Sequence, residues 1–283
     1  MTLTASSAPV PAVSAVPATS RPLDLPGTLT PSKISAFTSC ALAFRFSVIE
    51  KLPEPPSVPA VRGTLVHRAL QLMFTYVDQG RRDRRSAERY LLAAFEEMSD
   101  GDAELAALEL TIEERETLLR HAGILLDRYF EIEDPNAVRP VGLELDLQLE
   151  MDGLLLRGII DRLDVLPDGR LAVVDYKTGR SPRAEQAKSR LSGVQLYALL
   201  CEGILGQRPA AVRLLYLRDR CVVSAEPNDM SMRGVRQRAT AVWKAIERAC
   251  AEGDFRPNPS LLCGWCAFRR YCPAFGGVPD APR

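Results

Sequence analysis

The feature that most constrains the fold is a pair of apolar runs, separated by a tight turn signal, that carry charged residues. Leu154 to Leu166 and Leu171 to Lys177 are rich in Leu, Ile and Val, and Pro167-Asp168-Gly169 lies between them. Such runs on either side of a short Pro/Gly turn predict an antiparallel β-hairpin. If the loop has three residues, Asp161 lies opposite Asp175, and directly opposed side chains have Cβ atoms roughly 5 Å apart.

The charges at the centre of this hairpin predict a bound cation. Asp161 lies among apolar residues, where a charge without a partner is costly. Strand alternation sends Asp175 and Lys177 to one face, so two carboxylates and an ammonium converge. Hard oxygen ligands on neighbouring strands beside a lysine suit Mg²⁺ or Mn²⁺ next to a phosphate. The alternative is a strand end whose Asp and Lys are simply solvated.

The remaining hydrophobic patterns predict a mixed fold. Hydrophobic periodicity predicts four helices in the first half of the chain. The first follows Pro31-Ser32 and has Cys40 in its middle, the second runs from Gly63 to Val77, and two more begin near Ser86 and Thr111. From Val141 to Glu150 apolar and polar residues alternate, which is typical of a half-buried strand, and Asp152-Gly153 then turns the chain into the hairpin. Further patterns predict a helix at about 191–205, strands near 212–217 and 221–224, and a long helix to about 251. We therefore predict an α/β (mixed α+β) domain.

Composition limits the domain organisation and the partners. At 283 residues, 46% hydrophobic and 25% charged, the chain predicts one main globular domain at 31–275, after an Ala/Pro-rich disordered tail at 1–30 and before a short tail at 276–283. No apolar run reaches the length of a membrane span and no secretory signal is visible, so we expect no membrane contact and a cytoplasmic location. The net charge is zero, so a nucleic acid needs local basic patches. One candidate patch follows Lys177 and contains Arg180, Arg183, Lys188 and Arg190, although a solvated loop is equally consistent with it.

Three cysteines within ten residues near the C-terminus indicate a metal site. They are Cys263, Cys266 and Cys272, and Cys40 is the candidate fourth ligand, because Cys201, Cys221 and Cys250 lie in apolar runs where cysteine behaves as a small hydrophobe. Zinc and an iron–sulphur cluster both accept four thiolates. Spacing alone does not decide between them. His67 and His121 are the two histidines, and a lone helical histidine is more often structural than a ligand.

Together these segments resemble the nuclease domain of the RecB-type exonucleases in the PD-(D/E)XK superfamily, including CRISPR-associated exonucleases with an iron–sulphur staple. The resemblance covers about residues 31 to 275. The matching segments are Pro31 to Ser35 leading to Cys40, Gly63 to His67, Gly158 to Asp164, Asp175 to Gly179, and the terminal cysteines. It implies a restriction-endonuclease-like core, a mainly antiparallel or mixed sheet flanked by helices.

The resemblance also implies roles for individual residues. His67, Asp161 and Asp175 would bind the catalytic Mg²⁺ or Mn²⁺, and Lys177 would assist the attacking water. Cys40, Cys263, Cys266 and Cys272 would hold a [4Fe-4S] cluster. The family's helical Gln-x-x-x-Tyr motif is incomplete, because Gln195 and Tyr197 are two residues apart and Gly193 stands where the glutamine would be. Two residues two apart on a helix point about 200° apart, so both cannot face the metal.

The implied function is metal-dependent exonuclease action on DNA, single-stranded or with free ends, in repair or recombination. No Gly-x-x-x-x-Gly-Lys-Ser/Thr phosphate loop is present in the sequence, so the protein either works alone or depends on a partner for a helicase motor. Tyr197, Gln195, Arg180, Arg183 and Lys188 are the candidate DNA contacts. Two alternatives stay open at this point: a non-catalytic DNA-binding subunit of a helicase–nuclease complex, and a zinc-bound structural module.

Overall fold

The centre of the fold is a five-stranded mixed sheet. The computed structural model describes residues 23–183, 193 and 195–279. The strands follow chain order across the sheet and are β1 Pro140–Met151, β2 Leu154–Val165, β3 Leu171–Lys177, β4 Ala211–Tyr216 and β5 Cys221–Ala225. Neighbouring strands are antiparallel except β3 and β4, which are parallel.

The described residues also form helices. They are α1 Pro31–Ser39, α2 Ala41–Phe44, α3 Val58–Tyr76, α4 Arg84–Gly101, α5 Ala103–Ala107, α6 Ile112–Ile132, α7 Leu196–Leu205 and α8 Asp229–Glu252. A π-helical turn follows α2 at Arg45–Ile49, and short 3₁₀ turns occupy Leu217–Asp219, Leu261–Trp265, Arg269–Tyr271 and Pro273–Phe275. Within the described residues, no helix has both the length and the apolar character needed to cross a bilayer. The predicted mixed α/β fold is confirmed.

Both predicted turns form and fix the register of the first three strands. Asp152 and Gly153 have φ of 50° and 76°, the left-handed conformation that a tight hairpin turn between β1 and β2 requires. The second turn is closed by the Leu166 N–H, which donates to the Arg170 carbonyl at 2.7 Å. In β2 and β3, Arg162 pairs with Val174, so the next position of this antiparallel register sets Asp161 opposite Asp175, as predicted.

Two helix boundaries differ from the sequence prediction. Cys40 does not lie in the middle of a helix, because α1 ends at Ser39 and Cys40 is extended (φ −162°, ψ 109°). The N–H of Leu42 donates to the carbonyl of Arg256, which is not part of α1. Helix α3 begins at Val58 rather than Gly63, because Pro59 lies in the first turn, where its missing N–H leaves no hydrogen bond unmade. Helix α6 begins after Thr111, as predicted, and Thr111 and Glu114 form a capping box there.

The described residues divide into two compact units. The larger unit, Gly27–Ile34 and Pro55–Ala241, contains the whole sheet, and the smaller joins Ser35–Glu54 to the chain from Val242 onward. Most of the predicted 1–30 tail lies outside the described residues. Near its end, Leu29 is buried and hydrogen-bonds through its N–H and carbonyl to Leu155 and Arg157 of β2.

In the larger unit, α3, α4 and α6 share a hydrophobic core with one side of the sheet. The buried members include Leu65, Val66, Ala69, Leu70, Met73, Leu91, Ala94, Leu118, Ala122, Leu125, Leu126, Tyr129, Val174, Tyr176 and Leu215. Helix α7 packs on β1 and β2. Gly158 of β2 makes this approach possible, because a Cβ there would meet Leu200 and Tyr197 of α7 at 2.7 and 2.9 Å.

A buried ionic network connects the sheet to α6. Arg162 is fully buried, and its guanidinium donates to Asp164 at 2.9 Å, to Glu133 at 2.5 Å and to the hydroxyl of Tyr176 at 2.8 Å. Burial lowers the pKa of Arg162, but Tyr176 and Glu133 outweigh it and raise the pKa well above its ordinary value. We call this side of β2 and β3, with Arg162, Asp164 and Tyr176, the arginine face.

Candidate metal-dependent active site

Three carboxylates lie side by side across β1, β2 and β3. In β1 and β2, Leu143 pairs with Arg162 and Leu145 with Ile160, and Glu144 and Asp161 lie between these two pairs. The β2–β3 register places Asp161 opposite Asp175. Carboxylate oxygens of Glu144 and Asp161 lie within 4.8 Å of each other, and the charge of Asp161 acts on Asp175, so the three residues form one acidic row. We call the side of the sheet that carries these three residues the acidic face.

Glu144 is the site residue that the sequence prediction missed. It has φ of 46°, a left-handed conformation that costs a non-glycine residue about 1–2 kcal/mol. One carboxylate oxygen of Glu144, one nitrogen of His67 and one carboxylate oxygen of Asp161 all lie within 4.8 Å of one another. These three residues therefore offer converging ligand atoms to one cation.

His67 lies on α3, and its side chain reaches the acidic face. Its Nδ1 lies 3.4 Å from Asp161 Oδ2, and its ring meets the Tyr176 ring edge-on at 5.8 Å. Gly63, one turn earlier on α3, lets the helix approach the end of β3, because a Cβ there would lie 3.2 Å from Thr178 Oγ1. The Gly63-to-His67 segment thus places the imidazole over the carboxylates.

Asp161 and Asp175 are held by different partners. The backbone N–H of Tyr176 donates to Asp161 Oδ2 at 2.6 Å, which fixes that carboxylate against β3. Asp175 Oδ2 lies 2.5 Å from Lys177 Nζ, so the two residues that strand alternation predicts on one face form an ion pair. The carboxylate of Asp175 is 5% exposed and the Lys177 side chain 41% exposed, so the ammonium can reach a bound substrate.

Tyr197 contacts the site from α7, whereas Gln195 lies at the N-terminal end of that helix. The Tyr197 hydroxyl lies 3.4 Å from Asp175 Oδ1. Gln195 caps the N-terminus of α7 with helical backbone angles and without a side-chain capping bond. Burial, followed by the charges of Asp175 and Asp161, raises the pKa of the Tyr197 phenol, so it is a neutral hydrogen-bond donor.

The electrostatics of the acidic face reflect an excess of negative charge. Burial raises the pKa of Asp175, and Lys177 only partly offsets this. Burial and the charge of Asp161 raise the pKa of Glu144. Burial lowers the pKa of His67 and of Lys177, but the neighbouring aspartates outweigh it, so both pKa values are raised. Each of these four groups is therefore shifted toward holding a proton, as expected where carboxylates are buried close to one another.

The donor set fits a divalent cation of the Mg²⁺ or Mn²⁺ class. Two carboxylate oxygens and one imidazole nitrogen converge, a third carboxylate lies on the adjacent strand, and oxygen-rich sets suit these hard ions. A bound dication would neutralise the excess charge that one lysine leaves uncompensated. The geometry is that of a site that can hold a metal beside an ammonium.

The predicted basic DNA contacts are described only in part. Arg180 and Arg183 are exposed after β3, and the neighbouring Ser181 N–H donates to Asp219. Lys188 and Arg190 lie outside the described residues. Their role in DNA contact stays a prediction.

The four cysteines predicted as ligands line one cavity in the smaller unit. It is formed by Cys40, Cys263, Cys266 and Cys272 together with apolar residues such as Phe46 and Phe268. Backbone N–H groups of Asn258 and Ser260 donate to the sulphurs of Cys40 and Cys263 at 3.4 and 3.3 Å. Burial, and the charges of the other three thiols, raise the pKa of Cys272.

The cysteines that the sequence assigned to apolar runs behave differently. Cys201 and Cys250 are buried, and burial raises their pKa to about 12 and about 11, which disfavours thiolate formation. Cys221 is partly exposed on β5.

Comparison with known proteins agrees with this architecture. The chain is 30% identical over 137 residues to the Gene 69 protein of Mycobacterium phage L5, and 28% identical over 134 residues to that of Mycobacterium phage D29. Each match covers 47% of this chain, and 44% and 48% of the two relatives, so less than half of either relative is represented.

A solved structure shares the fold. A candidate exonuclease from Eubacterium rectale superposes with a TM-score of 0.51 at 11% identity, covering 86% of this chain and 88% of that one. The family model of the PD-(D/E)XK nuclease superfamily matches residues 28–273, which include the whole acidic face and the terminal cysteines. The chain belongs to the PD-(D/E)XK nuclease superfamily.

Proposed function

We propose that this protein is an Mg²⁺- or Mn²⁺-dependent deoxyribonuclease of the RecB type that acts on DNA ends. The observation that carries the proposal is the convergence of His67, Glu144 and Asp161 beside the Asp175–Lys177 ion pair. His67, Asp161 and Asp175 are the proposed ligands from the sequence, and Glu144 joins them on geometric grounds. The cation, when bound, lowers the pKa of a coordinated water and neutralises charge that develops on the phosphate.

The chain's own residues prepare the hydrolysis of one phosphodiester. The water oxygen bonds to phosphorus as the bond from phosphorus to the leaving sugar oxygen breaks, and the water's proton leaves while the leaving oxygen gains one. Lys177, held as an ammonium against Asp175, orients the attacking water or contacts the scissile phosphate. Tyr197 keeps the Asp175 carboxylate in place, and the Tyr176 N–H fixes Asp161.

A nuclease assay on end-labelled DNA tests the proposal. Purified protein with Mg²⁺ or Mn²⁺ should degrade single-stranded DNA, and chelation should stop it. Asp175→Ala and Lys177→Ala proteins should be inactive, and equal activity in these variants would point to a contaminating nuclease. The pattern of labelled products separates exonuclease from endonuclease action. A repair or recombination role, a helicase partner and a cytoplasmic location stay predictions from the sequence.

We also propose that Cys40, Cys263, Cys266 and Cys272 hold a [4Fe-4S] cluster with a structural role. Support comes from the shared cavity and from the N–H groups directed at two of the sulphurs, since such hydrogen bonds accompany cluster thiolates. Four thiolates also suit zinc. Brown protein whose broad visible absorbance bleaches on reduction supports the cluster, whereas colourless protein with stoichiometric zinc would exclude it.

A second candidate function is DNA binding without catalysis, in a larger helicase–nuclease assembly. The observation that favours it is Gly193 at the position of the family's glutamine, with Gln195 at the start of α7 rather than on the face of Tyr197. Metal-dependent cleavage by the purified chain would exclude it. Metal-independent DNA binding without cleavage would support it.

A further inference from the structure

A groove of about 560 Å³ lies between the end of α3 and the start of α4, in the larger unit. Five arginines occur between positions 81 and 89, and two of them have structural partners. Arg82 is buried and donates to the carbonyl oxygens of Val77 and Pro135. Arg84 forms an ion pair with Asp127 of α6 at 2.5 Å. The three that remain are exposed and line the groove: Arg81, Arg85 and Arg89.

The positive charge in this groove is only partly balanced. Three arginines face two acidic residues in its wall, Asp78 and Asp83. Asp83 also caps α4 by accepting the Ser86 N–H at 2.8 Å. Across the described part of the chain, no carboxylate forms an ion pair with the three groove arginines. Arg85 and Arg89 are four residues apart on α4, and like charges at this spacing destabilise a helix. A bound anion would remove that cost.

An aromatic stack borders the same groove. Tyr76 is 67% exposed although it ends a helix with a buried core face, and its ring stacks on Tyr90 with centroids 6.1 Å apart and planes 21° apart. The guanidinium of Arg89 lies 4.8 Å from the Tyr90 ring centroid. An exposed aromatic ring beside guanidinium groups is the combination that binds a base and its phosphates in single-stranded nucleic acids.

We propose that this α3–α4 groove binds a segment of single-stranded DNA away from the catalytic residues. Arg81, Arg85 and Arg89 contact phosphates, and Tyr76 stacks on a base. This assignment rests on the proposed nuclease function. Tyr76 follows His67 by nine residues on α3, which is about 14 Å along the axis and on the opposite side of the helix. The groove is therefore a second contact site for strands long enough to reach both places.

Equilibrium binding of a labelled oligonucleotide tests the proposal in an Asp175→Asn background, where cleavage does not interfere. Arg85→Gln/Arg89→Gln should lower the slope of log K against log salt by about 1.4, because each single-strand phosphate contact contributes about 0.7. Tyr76→Ala should weaken binding about 5- to 150-fold with the slope unchanged, and Tyr76→Phe should retain affinity.

The matched control removes the same charge elsewhere. Arg115→Gln/Arg120→Gln changes two exposed arginines of α6, and its slope should stay that of the parent. Equal slopes in both double variants, or unchanged affinity in Tyr76→Ala, would overturn the groove assignment. In the active protein, groove variants should raise KM for long strands and leave kcat within about twofold. A parent protein that binds DNA through the groove but does not cleave it would instead refute the proposed catalysis and leave this assignment standing.

Discussion

The two sides of β2 and β3 carry ionisable clusters built from adjacent residues, and they differ in charge balance. Asp161 and Asp175 belong to the acidic face, while their neighbours Arg162 and Tyr176 belong to the arginine face. On the arginine face, each of the three guanidinium nitrogens of Arg162 donates to acceptors on β2, β3 or α6. On the acidic face, three carboxylates share one lysine and a histidine.

This difference supports the proposal that the acidic face, and not the arginine face, is the active site. A buried network whose charges are paired and hydrogen-bonded stabilises one arrangement and needs no ligand. On the acidic face, burial and neighbouring charges shift the pKa values of Glu144 and Asp175 upward, and a cation bound there, as we propose, would stabilise the folded protein. Substitutions on the two faces should therefore change different properties.

The largest effect on stability is expected for Arg162→Met. Removing this guanidinium leaves Glu133 and Asp164 as buried charges without their partner, which should lower the free energy of unfolding by about 3–5 kcal/mol. Urea denaturation without metal measures it. The triple variant Glu133→Gln/Arg162→Met/Asp164→Asn should recover much of the loss, and a single variant as stable as the parent would show that the network is not what stabilises this face.

The largest effect on activity is expected for Asp175→Asn. Loss of this carboxylate removes a proposed metal ligand and the partner of Lys177, so cleavage should fall at least about 100-fold. The free energy of unfolding without metal should stay equal or rise, because like-charge repulsion is relieved. Asp146→Asn, on an exposed residue of β1 paired with Arg157, is the control for both measurements and should leave cleavage unchanged.

Glu144→Gln should have a smaller effect, on metal affinity. A neutral amide in place of one converging carboxylate should raise the Kd for Mn²⁺ about 10-fold, which a calorimetric or EPR titration measures. Glu150→Gln, exposed on the same strand, removes the same charge outside the site. Equal Mn²⁺ affinity in the two variants would remove Glu144 from the proposed ligand set.

Tyr197→Phe should have the smallest effect. The lost hydroxyl makes a long hydrogen bond to Asp175, and a bond of this kind contributes about 1 kcal/mol, or about fivefold in rate. Steady-state cleavage of labelled DNA measures it. A loss as large as that of Asp175→Asn would mean that the phenol acts directly on the substrate.

The sequence predicted the positions of Asp161 and Asp175 on the acidic face better than the partners of Arg162 on the arginine face. The two aspartates are joined by a short turn, whereas Glu133 is far from Arg162 in the chain. Asp161 and Asp175 face each other because a short turn fixes their register, and turn chemistry is local. The same argument applied to Asp152-Gly153 places Glu144 opposite Asp161, but in the alternating pattern Glu144 reads as an ordinary solvent-facing residue. Its left-handed backbone has no sequence signal.

Other features depend on long-range contacts that a single sequence does not reveal. Glu133, the residue that follows α6, could not be assigned to Arg162 by any local pattern. The break at Cys40 depends on a hydrogen bond between Leu42 and Arg256. His67 was placed on the correct helix by its apolar period, whereas its role came only from the family resemblance.

The most direct test compares two aspartates of the same motif, Asp161 and Asp164, which lie three residues apart on opposite faces of β2. Metal-dependent cleavage of end-labelled DNA should be lost in Asp161→Asn, and that variant should stay as stable as the parent. Asp164→Asn should be less stable but should cleave DNA at temperatures where it remains folded. Two results would contradict the assignment of the acidic face as the active site. One is equal cleavage by the parent and Asp161→Asn. The other is loss of cleavage in Asp164→Asn, while it is folded, with cleavage retained in Asp161→Asn.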